Sequence, residues 1–421
     1  MYRGGNKMTK SCYKTLIFPI LLLFLATTLF GLKNHNLQQE NFLPVCVLSV
    51  IFIVIQFICT KIRKGADNYL LSIIIFLSSI SAIMILRLKP DLYMHQIMWI
   101  GIGLVVFLVI TIFADKLLDL LDFPYVLGLG ALIIICSVLI FGTDINGNRN
   151  WIILGPIQIQ PSEFAKLFII AFLSSFLSEN KNMLILPSRG WKFIHLPPFR
   201  FLAPLLLIWS ASILMFVSLK DLGSALLFFG IVVIMTYVAT GKKLYVFLAL
   251  FFFLCASYIS YLLFGHVQTR VAIWLHPWED PMGSAYQIVQ SLFAFSYGGI
   301  FGTGYSFGFP KLIPEVHTDF IFAAIGEEFG LIGVTFILLA YLLLFMRGMK
   351  IALSLTNEKY KLMAFGLAIT MLLQTFIILA GVTKLLPLTG ITLPFISYGG
   401  SSMVSSFISL GLLYALSSKE R

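Results

Sequence analysis

The sequence predicts an all-α integral membrane protein, a polytopic helix bundle of about twelve transmembrane helices. Three observations lead there. Of the 421 residues, 59% are hydrophobic and only 11% charged, with mean hydropathy +0.97, whereas a soluble domain carries about 25% charge. The apolar residues come in long blocks, each near the ~20 residues a helix needs to cross a bilayer. The alternating segments of a membrane barrel are missing. Lipid offers no water to backbone groups, so helices that satisfy them internally are the natural form.

The apolar runs cover residues 15–31, 42–60, 69–87, 96–114, 123–142, 163–178, 202–219, 222–240, 244–264, 318–346, 361–381 and 391–416. Arg3, Lys7, Lys10 and Lys14 precede the first run, and no clean small-residue cleavage site follows it, so we read a retained first helix rather than a signal peptide. Basic Lys61, Arg63 and Lys64 then separate two leading spans from ten that follow. This divides the chain into an N-terminal hairpin, 1–64, and a membrane core, 65–421.

Most of the 29 Lys and Arg fall in the segments that are cytoplasmic if both termini are inside, as the positive-inside rule requires. The net charge of +11 therefore reports orientation and calls for no nucleic-acid partner. The five cysteines show no paired spacing and the six histidines no metal-spaced cluster. The inside loop from Glu179 to Arg200, with Pro187, Pro197 and Pro198, reads as a membrane-surface segment.

Two outside connections are long, Thr143 to Ser162 and Gly265 to His317, the second lying between spans nine and ten. Long loops are uncommon without a function. In the second, Glu279 and Asp280 stand beside Trp274, Trp278, Pro277 and Pro281. The residues alone leave a belt tryptophan with a solvated acidic pair beside the alternative of one catalytic carboxylate. Asp319, Glu327 and Glu328 lie at or within an apolar run, where a charge costs roughly 2.5–3.5 kcal/mol at the bilayer centre; a functional role and an internal ion pair are both open. Ser162, after Pro161, can cap the helix of the sixth span. Glu163 and Lys166, three apart, share one helix face as an internal pair or as the lining of a polar cavity. Lys220 and Asp221 divide two spans in a short turn. Pro394, Gly399 and Gly400 permit a broken helix in the last run. The glycines at 298, 299, 302 and 304 lack the strand–helix context of a nucleotide fingerprint.

Five blocks together resemble the SEDS family (shape, elongation, division and sporulation proteins), whose members are called FtsW, RodA and SpoVE. They are Asn148-Arg149-Asn150-Trp151 with Gln160-Pro161-Ser162-Glu163-Phe164-Ala165-Lys166; Asp221-Leu222-Gly223-Ser224-Ala225; Pro277-Trp278-Glu279-Asp280-Pro281 with Tyr286, Gln287, Gln290 and Ser291; Pro314 to Ala323 with Gly326-Glu327-Glu328; and Leu393 to Ser402. They run in family order over about residues 65 to 421. One departure is Asn150, where many members have Arg directly before the Trp; Arg149 stands one place earlier. The N-terminal hairpin exceeds the family's usual ten spans.

The resemblance implies a glycosyltransferase of the bacterial plasma membrane that joins lipid II disaccharides into peptidoglycan strands with inversion, in elongation or division. It implies a class B penicillin-binding protein as crosslinking partner. By position Asp280 matches the family's catalytic base, and Glu163 and Lys166 match a polar pair of its central cavity. Arg149, Lys166, Lys220 and Arg270 are the candidate cations for a departing diphosphate. Asp221, Trp278, Gln287, His317, Asp319 and Ser397 complete the expected substrate-binding set. A divalent ion, Mg or Mn, is a possible helper, although no ligand cluster predicts one. The alternatives are a flippase for the lipid-linked precursor, against which the lack of a clear internal repeat counts, and a non-catalytic scaffold for a transpeptidase.

Overall fold

A computed structural model describes residues 4–33, 39–145, 148–155, 157–185 and 198–419. Its helices are α1 (Gly4–Lys33), α2 (Gln39–Ile62), α3 (Asn68–Leu88), α4 (Tyr93–Asp119), α5 (Pro124–Phe141), α6 (Pro161–Ile185), α7 (Phe199–Ser218), α8 (Leu222–Thr240), α9 (Lys243–Leu263), α10 (Gly265–Leu275), α11 (Tyr286–Gly298), α12 (Ile321–Ser354), α13 (Glu358–Val382) and α14 (Gly400–Leu416). Among the described residues eleven helices are long and apolar enough to cross a membrane, and α14 is a shorter apolar helix of 17 residues. The chain is a multi-pass helical membrane protein. The long loop after α5 adds a small antiparallel sheet to the expected all-α fold: β1 (Thr143–Ile145), β2 (Asn148–Leu154) and β3 (Ile157–Ile159), in the order β1-β2-β3. Most of the basic loop 179–200 lies outside the described residues.

The chain forms two compact units. The first comprises residues 1–114, 273–347 and 374–419. Its centre is α3, packed by α1, α2 and α14. Small buried serines, Ser78, Ser79 and Ser81 on α3 and Ser402, Ser405 and Ser406 on α14, let backbones approach closely. Asp67 caps α3 by accepting from the Tyr69 N–H and pairs with Arg347 at 3.3 Å.

The second unit comprises the described residues of 115–272 and 348–373. Within it α6 packs against α5 and α8, and α7 against α8. Ring pairs fill the seams, with Phe172 on Phe176 at 5.3 Å and Phe216 edge-on to Phe228 at 4.6 Å. No residue of α9 is buried.

Two of the predicted spans differ from what forms. The run 391–416 becomes a helix only at Gly400, because residues 385–399 fold as a loop whose Ile391, Leu393, Phe395, Ile396 and Ser397 are buried. That loop is fastened by Ser81 Oγ donating to the Ile396 carbonyl at 2.7 Å and by Tyr341 OH donating to the Pro394 carbonyl. The run 318–346 becomes α12, broken at Gly330 (φ 64°, ψ −167°). Breaking a helix in lipid frees backbone groups that must find partners. Here the segment 299–304 supplies them. Thr303 N and Gly304 N donate to the Glu327 and Glu328 carbonyls at 3.0 Å, and Leu331 N and Ile332 N donate to Gly299 and Ile300 at 2.9 and 3.2 Å. Only glycine fits at the break: φ is left-handed, and a Cβ would stand 2.3 Å from Gly302 N.

Candidate functional site

In the first unit the site begins where α10 ends. Pro277 and Pro281 cannot continue a helix, so residues 276–285 form a run of turns before α11. Asp280 sits in it, exposed, its carbonyl receiving Ala285 N at 3.2 Å. Its carboxylate Oδ2 accepts twice from Ser284, from the backbone N–H at 2.7 Å and the hydroxyl at 2.9 Å. The backbone bond first, then the hydroxyl, hold this carboxyl below the usual range, so Asp280 is ionised at neutral pH. Glu279 lies 3.8 Å from His276 Nδ1, both exposed.

Trp278 packs its ring on Phe293 of α11 at 5.9 Å. Gln287 Nε2 donates to the Pro314 carbonyl at 3.4 Å. Ser291 Oγ donates to the Val382 carbonyl at 3.0 Å and Trp274 Nε1 to Lys384 at 3.2 Å, so α11 and the end of α10 are both tied to the chain at the end of α13. Between α11 and residues 309–313 runs a groove of about 420 Å³, walled by Phe293, Tyr297, Phe309 and Leu312, with Gln290 and Glu327 as its polar points.

The acids of the broken helix have structural partners. Glu327 Oε1 accepts from Phe309 N at 2.6 Å. Glu328 pairs with Arg87 at 2.8 Å and accepts from Ser306 N at 3.1 Å, while Arg87 also donates to the Gly308 carbonyl at 2.9 Å. His317 is buried, 3.6 Å from Glu315. Burial and Lys89 hold its imidazole below the usual range, and Glu315 opposes them. Asp319 accepts from the Thr318 hydroxyl at 2.5 Å. Ser397 accepts from Leu393 N at 2.9 Å and donates to the Thr318 carbonyl at 2.5 Å, which clips the 390s loop to the segment before α12.

The second unit gathers the other expected residues. Glu163 and Lys166 pair at 2.5 Å, both buried in the first turns of α6. Asp221 caps α8, taking Ser224 N on Oδ1 at 2.9 Å and the Ser224 hydroxyl on Oδ2 at 2.7 Å. Burial raises its carboxyl above the usual range against the pull of Ser224 and Arg270, with Glu163 adding to the rise. Asp221 thus feels both Arg270 and Glu163. Lys220, exposed, turns the chain with φ 62°. His266, one helical turn before Arg270, is held below its usual range by burial, Lys220 and Arg270. Arg149 is on β2, and its side chain lies outside the described residues.

Residue-level reading found the acids and missed Arg87, Ser284 and His266. Arg87 closes the third apolar run, and its partner is 241 residues away in sequence. Among the described residues no three His, Cys, Asp or Glu side chains gather as a metal set.

The profile of the FtsW/RodA/SpoVE family, described as cell cycle proteins, matches residues 66–421. The chain belongs to the SEDS family. Among SEDS relatives it is 37% identical over 364 residues to the peptidoglycan glycosyltransferase RodA of Mycobacterium tuberculosis strain H37Rv, covering 83% of this chain and 78% of that one. It is 39% identical over 279 residues to the stage V sporulation protein E of Bacillus subtilis, covering 66% and 73%. Among solved structures, a chain from a peptidoglycan synthase complex described as coordinating polymerisation and crosslinking matches with TM-score 0.69 at 27% identity, covering 84% of this chain and 98% of that one. The rod shape determining protein RodA of Thermus thermophilus matches with TM-score 0.59 at 26% identity, covering 84% and 97%. The SEDS match begins at residue 66, so α1 and α2 lie outside it.

Proposed function

We propose that this SEDS protein is a peptidoglycan glycosyltransferase that polymerises lipid II, with Asp280 as general base. The observation that carries the proposal is the state of Asp280. It is exposed, ionised and fixed by Ser284 in a turn whose Trp278 packs against the groove-lining Phe293. The groove suits a hydrocarbon chain and the exposed turn suits sugars, the two halves of a lipid-linked saccharide.

In the reaction the 4-hydroxyl of the acceptor sugar attacks the anomeric carbon of the donor from the face opposite the diphosphate. The O4–C1 bond forms, the bond from C1 to the diphosphate oxygen breaks, and that electron pair leaves with the polyprenyl diphosphate. The hydroxyl proton passes to the Asp280 carboxylate. Diphosphate is a good leaving group and needs charge stabilisation more than a proton. Arg149, Lys166, Lys220 and Arg270 are the cations expected to supply that character, and Glu163 and Asp221 are acids among the same expected set. A Mg or Mn ion, where one takes part, would add positive charge at the departing diphosphate.

The positive-inside bias supports cytoplasmic termini and an extracytoplasmic Asp280. The family and the synthase-complex likeness support a class B penicillin-binding protein as partner in elongation or division. The test is purified protein with lipid II, alone and with that transpeptidase. Wild type is expected to make glycan chains, and Asp280→Asn to insert and fold but make none. Polymer from Asp280→Asn removes Asp280 from the mechanism. Lipid translocation without polymer identifies a flippase, and neither activity a scaffold.

A further inference from the structure

We infer that Ser284 and Gly283 are positioning residues for Asp280, which they hold so that its carboxylate is presented to the sugar hydroxyl in one orientation. The inference rests on the general-base reading above. Both Ser284 bonds, 2.7 Å from the N–H and 2.9 Å from the hydroxyl, fall on Oδ2. The Gly283 N–H adds a weaker pull on the same carboxylate. A carboxylate held by such donors loses rotational freedom about its χ2 bond.

Gly283 makes room for this arrangement. A Cβ there would stand 2.4 Å from Oδ2 and 2.5 Å from Oδ1. Gly283 is not among the glycines with left-handed φ. Its role is therefore space beside the carboxylate, not backbone freedom, and any side chain would push the acid out of its seat. The charged neighbours on the same run of turns, His276 and Glu279, face each other at 3.8 Å, and no charged group among the described residues adds to the pull on Asp280.

The test is the pH dependence of lipid II polymerisation, kcat/KM from about pH 4 to 8, for wild type, Ser284→Ala, Ser284→Thr and Gly283→Ala, with melting temperatures to verify folding. Ser284→Ala removes one donor to the ionised acid, so the acid limb is expected to move to higher pH and the plateau to fall on the order of tenfold, the scale of one charge-assisted hydrogen bond. Ser284→Thr retains the hydroxyl and is expected to restore both. Gly283→Ala is expected to lose more than Ser284→Ala at unchanged melting temperature. If Ser284→Ala keeps the wild-type limb and plateau while Asp280→Asn is inactive, the positioning role is wrong and the base stands. Activity in Asp280→Asn overturns both.

Discussion

Removing the guanidinium of Arg87 by Arg87→Met tests whether the broken helix is held by charge. Glu328 has no exposed side-chain surface and Arg87 only 12%. The substitution deletes the ion pair at 2.8 Å and the bond to the Gly308 carbonyl at 2.9 Å, and leaves the Glu328 carboxylate with the Ser306 N–H at 3.1 Å. Breaking a buried pair from one side costs about 3–5 kcal/mol, because the remaining charge is stranded; replacing both partners by apolar groups is far cheaper. Arg87→Met should therefore cost about 3–5 kcal/mol and Arg87→Met/Glu328→Leu much less, a strongly non-additive cycle. The assays are unfolding in matched detergent micelles and hydrogen exchange of the Ser306 and Phe309 amides. At about 1.4 kcal/mol per factor of ten, local opening should rise roughly a hundredfold or more in the single variant. A double variant as unstable as the single one, or unchanged exchange at Ser306 in Arg87→Met, would refute the reasoning.

Three further outcomes follow from the same packing. Gly330→Ala places a Cβ 2.3 Å from Gly302 N at φ 64° and should destabilise by more than about 2 kcal/mol, read as a lower melting temperature and loss of exchange protection at Thr303 and Gly304. Ser397→Ala removes the acceptor for Leu393 N and the donor to the Thr318 carbonyl, at a cost of about 1–3 kcal/mol in melting experiments; a neutral result would show that this clip contributes nothing. His317 titrates below its unfolded value, so as pH falls through about 6.5 the unfolded chain takes up a proton that the folded chain does not. Its stability is complete above that pH and declines below it. Melting temperatures from pH 7.5 to 5 should fall less steeply in His317→Gln, and parallel slopes would contradict this.

Much of the fold was legible because lipid imposes one rule on the backbone, and apolar runs near helix length obey it. The rule reads composition and is blind to φ. Phe329 and Leu331 flank Gly330, and apart from Glu327 and Glu328 the residues around it are mostly apolar, so the run 318–346 looked continuous although its helix is broken. The apolar residues of 391–399 are buried against protein, with Ile396 and Phe395 fully enclosed, and hydropathy cannot distinguish that from burial in lipid. The site divides the same way. Asp280 was visible as a carboxylate among Trp and Pro, whereas Ser284 and Gly283 look like any turn residues until their distances to Oδ2 are known.

The segment 299–309 links these two lessons. Its N–H groups repair the broken helix at Glu327 and Glu328, and its Gly308 carbonyl and Ser306 N–H complete the Arg87–Glu328 pair. Its last residue, Phe309, and Leu312 beyond it wall the groove against α11, whose Phe293 carries Trp278 of the Asp280 turn. A charge that looks costly in an apolar run is therefore placed where it fixes a loop, and the loop shapes the surface beside the acid. On this arrangement Arg87→Met should impair polymerisation through the groove wall and raise KM for lipid II more than it lowers kcat. Ser284→Ala, which touches the base directly, should lower kcat with KM little changed. Equal effects of both variants on kcat alone would mean that the groove plays no part in holding substrate.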